Sequence, residues 1–455
     1  MTAILWLRRD LRRADHPALL AARDAADGDL VVAFVLDPAL WAGAGPVRRA
    51  WLAATLEATN AEYDDALTLL WGDPRTEIPA LAERVGATSV HVTRETTPFG
   101  RRRDAAVAHT LASSGVDWVE TGTPYAVGPG LVRNGSGTAY KVFTPFAKAW
   151  RAHGWPDPAP RPSSLPLREA RGDAEATAAV REALAAPDLP EMPGAGEQAA
   201  AVRWQGFLDD ALTAYTGDRD LPGIDGTSRM SPYLKLGVVH PRTLLADLTS
   251  RRGEGKETYA TELAWREFYA DVLWHNPSSA WHDLRDALNG MAYDEPADAI
   301  EAWQTGTTGY PVVDAGMRQL LGQGWMHNRV RMITASFLTK DLHVWWPVGA
   351  RHFLDHLIDG DVASNNHGWQ WVAGTGTDAS PYFRVFNPVT QGEKFDPDGD
   401  YVRQWVPELA HLPGKAVHQP WEHPDGYAHG YPKRIVDHAE ERREALRRLD
   451  GVKGS

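Results

Sequence analysis

Five short apolar runs crowd the first 120 residues: AILWL (3–7), LVVAFVL (30–36), ALTLLW (66–71), TSVHV (88–92) and VDWVE (116–120). Between them lie longer amphipathic stretches such as VRRAWLAATLEATNAEY. Strand-length runs alternating with helix-length ones are the pattern of a doubly wound parallel sheet. From 199 onward strand patterns nearly vanish. EQAAAVRWQGFLDDALTAY, YATELAWREFYADVLW and PVVDAGMRQLLGQGWMHNRVRMITASFLTKDL all carry helical spacing instead.

The expected architecture is therefore an α/β amino-terminal domain (1–130) with a doubly wound, parallel, five-stranded sheet, and an all-α carboxy-terminal domain (199–455). The segment between (131–198) reads as an interdomain linker. VGPGLVRNGSG and HGWPDPAPRPSSLP are rich in Gly and Pro, and an Ala-rich helix and APDLPEMPGAGEQ follow. A chain of 455 residues exceeds one ordinary domain, so two cores are expected.

Several function classes drop out. No GxGxxG follows the first strand and no GxxxxGK[ST] occurs, so an ordinary dinucleotide or nucleoside triphosphate site is not supported. There are no cysteines, which removes disulfides and cysteine zinc sites and fits a reducing compartment. The start, MTAILWLRRDLRR, turns basic after seven residues, unlike a secretory signal. No apolar run is long enough to cross a bilayer. A soluble, cytoplasmic monomer is expected, and no metal is implied.

Two global numbers pull apart. A formal net charge of −13 argues by itself against a polyanionic partner, although a total says little about a local patch. Tryptophan, at 19, outnumbers tyrosine (13) and phenylalanine (11), and nine of the 19 fall between Trp265 and Trp371. A helical core accounts for any one of them. Nine together ask for a ring system or an electron path.

The chemistry sits in the helical half. In ELAWREFY, Glu262, Trp265, Arg266 and Tyr269 share one helix face, too polar for plain core. In MHNRVRM, Asn328 and Met332 are four apart, flanked by Arg329 and Arg331. TSRMSPYLKLG (227–237) clusters hydroxyls and backbone amides before a helix start, which suits either an anion or simple capping. DGDVASNNHGWQW (359–371) packs two aspartates, two asparagines and two tryptophans into thirteen residues.

These blocks, with GYPVVDAGMRQL, SPYFRVFNP, the amino-terminal WLRRDLR and the linker YKVFTPF, occur in an order that strongly resembles the photolyase/cryptochrome flavoproteins. The resemblance covers nearly the whole chain, and its nearest type is the class I cyclobutane-dimer photolyase. It implies an antenna pigment on the α/β domain and U-shaped FAD on the helical one. Tyr215, Thr227, Ser228, Arg229, Met230 and Ser231 match the pyrophosphate cradle. Asp359 and Asp361 match acids near the isoalloxazine and ribose, with Arg331 as partner for Asp359; Arg266 and Gly360 join the same set. Asn365 matches the residue facing flavin N5, where a carboxamide can accept or donate as N5 changes protonation. Trp369 and Trp346 match the first two members of an electron-transfer chain. Tyr293 stands where many relatives carry the third, exposed tryptophan, and either it or another aromatic such as Trp281 ends the path.

The same resemblance implies a substrate. Repair members flip a damaged dinucleotide out of the duplex, at a cost of roughly a few kcal/mol. Trp265 and Trp371 would stack on the two pyrimidines, Glu262 would bond a base edge, and Tyr269 would line the site. Relatives that repair (6-4) lesions carry catalytic histidines where this chain has Asn328 and Met332, which favours the cyclobutane dimer. Arg219, Arg329, Arg384 and Gln391 match contacts to phosphates flanking the lesion. The implied reaction is light-dependent splitting of cyclobutane pyrimidine dimers, a carbon–carbon lyase activity. The rivals are a cryptochrome-type blue-light receptor and a flavin oxidoreductase, and the latter lacks a nicotinamide site.

For the antenna, folate-binding relatives carry Asn-Glu where this chain has Phe99 and Gly100. The loop resembles those of relatives that bind 8-hydroxy-5-deazaflavin, with Lys235, Glu95, Arg103 and Arg48 as contacts. Methenyltetrahydrofolate, or no second pigment, is the alternative.

Overall fold

The structure is a computed structural model that describes residues 1–377 and 383–453. Five parallel strands, β1 (Thr2–Leu7), β2 (Asp29–Leu36), β3 (Leu67–Trp71), β4 (Ala87–Val92) and β5 (Asp117–Glu120), lie in the order β3-β2-β1-β4-β5. Each coincides within a residue with one of the five apolar runs. Register pairs Ile4 with Val31 on one side and with Val90 on the other. All three are fully buried, as befits a sheet covered on both faces.

The helices that follow β1 to β4 share a local device. Each opens with a capping residue and a proline: His16-Pro17, Asp37-Pro38, Asp73-Pro74 and Thr97-Pro98. The cap side chain accepts an amide that the first turn leaves without an intrahelical partner, and proline at the next position lacks an N–H to satisfy. Asp73, for instance, accepts from Arg75 N at 2.9 Å.

The chain divides into two compact units, Met1–Gly206 with Arg229–Pro277, and Phe207–Ser228 with Ser278–Ser455. The first contains the sheet, the Phe143–His153 and Ala174–Leu184 helices, and the long Glu254–His275 helix. In that helix the buried Glu267 accepts from the amides of Ala126 (3.1 Å) and Val127 (3.1 Å) and from Trp150 Nε1 (2.8 Å), and Asp271 accepts from Gly130 N (2.7 Å). Two carboxylates thus satisfy the amides of an irregular buried loop.

The second unit is helical. Its core runs through Trp303, Met317, Val330, Phe337, Phe353 and Trp369. Two stretches with continuous helical spacing are broken. EQAAAVRWQGFLDDALTAY gives way after Gly206 to a wide turn in which Leu212 N bonds Phe207 O at 2.9 Å. PVVDAGMRQLLGQGWMHNRVRMITASFLTKDL stops at Gln323, where Gly324 takes φ 61°, and restarts at Asn328. A left-handed glycine ends a helix that side-chain period alone would continue. Among the described residues no helix is long and apolar enough to cross a membrane.

Candidate functional site

In the second unit, Asp361 caps the Val362–Ala373 helix by accepting from Ser364 N at 3.1 Å. That start places Asn365 and Trp369 one turn apart on the same face. Asn365 Nδ2 donates to Ala350 O at 3.1 Å and to Asn366 Oδ1 at 2.8 Å, and Asn366 Nδ2 donates in turn to Ala280 O. The two backbone carbonyls can only accept, so flipping either amide loses a bond. Both hydrogens of Asn365 are committed within the protein. What it has left to offer is an acceptor, its carbonyl oxygen.

The buried Asp359 is held by Arg331 through Nη2 at 2.8 Å and Nη1 at 3.2 Å, while Arg331 Nε donates to Met326 O at 2.8 Å. Gly360 separates the two acids. A Cβ there would lie 3.1 Å from Leu354 Cδ2 and 3.2 Å from Leu357 O, so the tight approach favours bare backbone. Tyr215 is buried edge-on to Phe207 (5.3 Å), and Ser228 is buried beside the half-buried Thr227.

Aromatic residues lead on from Trp369. Its ring packs edge-on to Phe353 (5.0 Å) and Trp303 (6.0 Å), and a Cβ on Gly349 would lie 2.2 Å from it. Trp346 is fully buried and donates its indole N–H to Asp283 Oδ1 at 2.6 Å. Trp345, 36% exposed, lies 6.4 Å from Trp346 between ring centroids, and Tyr293 lies 6.5 Å from Trp345. Burial, and after it the Asp283 charge, push the Tyr293 phenol well above the ordinary tyrosine range. Trp281 carries the Arg351 guanidinium over its ring at 4.9 Å. Sequence reasoning passed over Trp345 and Asp283. The adjacent Trp345-Trp346 pair was a signal for the first; nothing signals the second.

Asn328 is exposed in the first turn of the Asn328–Ser336 helix, and Met332 is half-buried one turn on. Arg329 spans them, with Nη1 3.7 Å from Met332 Sδ and Nη2 2.8 Å from Asp220 Oδ1. The Asp220 bridge offsets part of the Arg329 charge. Arg384 is exposed, and Gln391 and Trp371 are half-buried. Ser380, Pro381 and Tyr382 of the SPYFRVFNP block lie outside the described residues.

In the first unit, Glu262, Trp265, Arg266 and Tyr269 are half-buried on one face of the Glu254–His275 helix. Phe143 stacks on Trp265 at 3.6 Å and 8°, backing one face of the indole, and Tyr269 packs tilted against the same ring at 5.5 Å. Arg266 donates to Pro124 O (3.2 Å) and Leu234 O (3.1 Å) with its guanidinium over Tyr125, ties within its own unit. Arg229 takes φ 52°, Met230 is buried, and Ser231 opens the Ser231–Leu236 helix.

Two of the antenna candidates, Glu95 and Arg103, lie together at one end of the sheet. In doubly wound sheets, ligands bind beyond the carboxyl ends of the strands where strand order reverses, here between β1 and β4. Directly after those strands come Arg9 and Glu95, 3.8 Å apart, with Arg103 3.9 Å from Glu95. Burial works to raise the Glu95 carboxyl, but Arg9 and Arg103 outweigh it and hold it at about 2. A Cβ on Gly100 would meet Glu95 Cγ at 2.1 Å, so glycine there makes room for that acid. The Lys235 helix ends against the same loop: Leu11 N bonds Leu236 O at 3.1 Å, and Gly237 packs on Arg9. Trp51, one turn beyond Arg48, meets Tyr233 at 5.6 Å.

Residues 259–451 match the family described as the FAD binding domain of DNA photolyase, and residues 3–163 the family DNA photolyase. A deoxyribodipyrimidine photo-lyase of Streptomyces griseus is 41% identical over 98% of this chain and 99% of its own. A bacterial class III photolyase from Agrobacterium tumefaciens superposes with a TM-score of 0.91 at 35% identity, covering 100% of this chain and 98% of that one. A Synechocystis cryptochrome gives 0.88 at 27%, covering 98% of each chain. An archaeal photolyase from Sulfolobus tokodaii, solved with two FAD molecules, gives 0.86 at 26%, covering 99% and 100%. The residues present fit a flavin. They supply a fixed carboxamide acceptor, a paired acid, clustered hydroxyls, and at Trp369 a buried indole N–H with no hydrogen-bond partner among the described residues.

Proposed function

Because this chain belongs to the DNA photolyase family, we propose that it is a deoxyribodipyrimidine photo-lyase that splits cyclobutane pyrimidine dimers in UV-damaged DNA. Asn365 carries this reading. Plant cryptochromes have Asp and many animal ones Cys at the matching position; this chain has a carboxamide with both hydrogens committed elsewhere.

When bound and fully reduced, FAD supplies one electron to the dimer on excitation by light and takes it back after the ring opens. The protein binds, orients and sets charge. With its amide hydrogens committed, Asn365 would offer its Oδ1 as an acceptor to a protonated N5 of the flavin. Arg331 neutralises Asp359, so the wall of the site adds no net charge beside the flavin ring. Asp361 caps its helix and faces the ribose. Tyr215 and the 227–231 segment take the pyrophosphate, with Arg266 and Gly360 shaping the surroundings. Trp369, Trp346 and an outer aromatic would carry electrons inward to re-reduce a bound flavin.

For the lesion, Trp265 and Trp371 each stack on a pyrimidine, and Glu262 bonds a base edge beside Tyr269. Asn328 and Met332 supply no proton donor of the imidazole kind that the (6-4) reaction uses. Arg219, Arg329, Arg384 and Gln391 contact the flanking phosphates, a local basic surface on an acidic protein. The second pigment is 8-hydroxy-5-deazaflavin, held near Glu95, Arg103, Arg48 and Lys235, with the Lys235 ammonium favouring its phenolate. Residues 1–130 serve the antenna, 131–198 link, and 199–455 carry FAD and DNA. The protein works as a cytoplasmic monomer.

The test is a light–dark pair. Reduced protein with a dimer-containing oligonucleotide restores the pyrimidines under blue light and not in darkness. Binding without light-dependent restoration would favour a receptor.

A further inference from the structure

The hydrogen bond from Trp346 Nε1 to Asp283 Oδ1, at 2.6 Å, is the shortest polar contact made by any tryptophan of the aromatic series. Trp346 is fully buried, so this carboxylate is the indole's principal polar environment. Asp283 does not drift. The next two residues are pinned by Leu284 N to Gln370 Oε1 (2.8 Å) and by Arg285 N to Thr375 O (3.0 Å), at the end of the helix that carries Trp369.

The nearby cations are engaged elsewhere. Trp346 and Tyr293 line one cleft with Lys340, His343 and Arg448. Lys340 donates to Ala373 O and lies over Phe383, and burial holds its amine well below the ordinary lysine range. His343 pairs with Glu441, and Arg448 with Asp294 and Glu444. Arg351 lies over Trp281. Among the described residues no cationic side chain forms an ion pair with Asp283. Its charge is left facing the Trp346 indole and the Tyr293 phenol.

We propose that Asp283 is the charge and proton partner of Trp346 in the re-reduction path, a positioning residue for the electron hole. The inference rests on the reading that Trp369 and Trp346 form that path. When Trp346 gives an electron to oxidised Trp369, a positive charge appears on a buried indole. A neighbouring carboxylate stabilises that charge, as an anion does any cation in a low-dielectric site. The Nε1–H bond then breaks as an O–H bond forms on Asp283 Oδ1, leaving a neutral indolyl radical. An exogenous thiol supplies the electron that refills the hole, becoming a thiyl radical and releasing its own proton. The proton on Asp283 returns to Nε1.

The test uses flavin-loaded protein in four forms: wild type, Asp283→Asn, Asp283→Glu and Trp346→Phe. Transient absorption separates neutral from cationic indolyl radicals. Wild type should show a long-lived neutral radical. In Asp283→Asn the cation should replace it and recombine about tenfold faster or more, the scale of one lost charge-assisted bond. Asp283→Glu should restore the neutral signature. In the dark, the Trp346 indole 15N–1H resonance should lie downfield in wild type and move upfield in Asp283→Asn. An unchanged neutral radical and lifetime, or an unmoved resonance, in Asp283→Asn would overturn the proposal. Undiminished photoreduction in Trp346→Phe would instead sink the path itself.

Discussion

Arg331 grips Asp359 with both terminal nitrogens, at 2.8 and 3.2 Å, across 28 residues of sequence. The acid is almost fully buried and the guanidinium three-quarters so. Removing one partner of such a pair leaves a buried charge uncompensated. Arg331→Met should lower stability by about 2–4 kcal/mol, less than a fully buried pair because the guanidinium keeps some water. The variant should also purify with less flavin. Urea unfolding and the flavin-to-protein absorbance ratio check both, and a silent variant would remove Asp359 from the flavin wall.

A buried histidine sets an acid limit. His16 caps the Pro17–Ala25 helix by accepting Leu19 N at 3.1 Å, and burial, only partly offset by Asp10, holds its pKa at about 4. In the unfolded chain the value is 6.5. Between the two, the unfolded state binds a proton that the folded state refuses. The contribution, about 3 kcal/mol, is therefore complete above pH 6.5 and lost as pH falls toward 4. His16→Asn keeps the cap without the titration, so its stability should fall less steeply over that window. Parallel curves for the two proteins would contradict this.

The fold was largely legible because the strands announce themselves locally. Each apolar run became a strand, since a sheet covered on both faces needs continuous Val, Ile and Leu. The helix changes at Gly206 and Gly324 were not, because the side-chain period persists through the wide turn after Gly206 and through Gly324, where only the left-handed backbone angle marks a stop. At the site, side chains on one helix face, such as Asn365 with Trp369, could be paired from spacing. Partners far apart in sequence could not: Asp283 lies 63 residues from Trp346, and Glu267 lies 141 from Ala126. Motifs name residues but not the bonds that set their charge.

Electron flow separates the inner and outer aromatics. Trp369→Phe should abolish photoreduction of oxidised flavin while chemically reduced protein still repairs dimers. Trp345 is exposed and stands between Trp346 and Tyr293, so Trp345→Phe should slow photoreduction more than Tyr293→Phe. Flavin bleaching under blue light with a thiol reports all three. The reverse order would make Tyr293 the outlet.

The antenna reading turns on Lys235. Reconstitution with 8-hydroxy-5-deazaflavin should add a second absorbance band, and Lys235→Ala should weaken uptake about tenfold, the scale of one charge-assisted contact. Tight folate binding with no deazaflavin uptake, or an unaffected Lys235→Ala, would count against it.

Lesion choice is decisive, because Asn328, exposed, and Met332, half-buried one turn on, match the places where (6-4) enzymes carry histidines. Reduced protein is illuminated with two oligonucleotides in one tube, one bearing a cyclobutane dimer and one a (6-4) product, and both are quantified against time. The cyclobutane dimer should disappear in light alone while the (6-4) product persists. Preferential loss of the (6-4) product, or loss of neither, would contradict this reading.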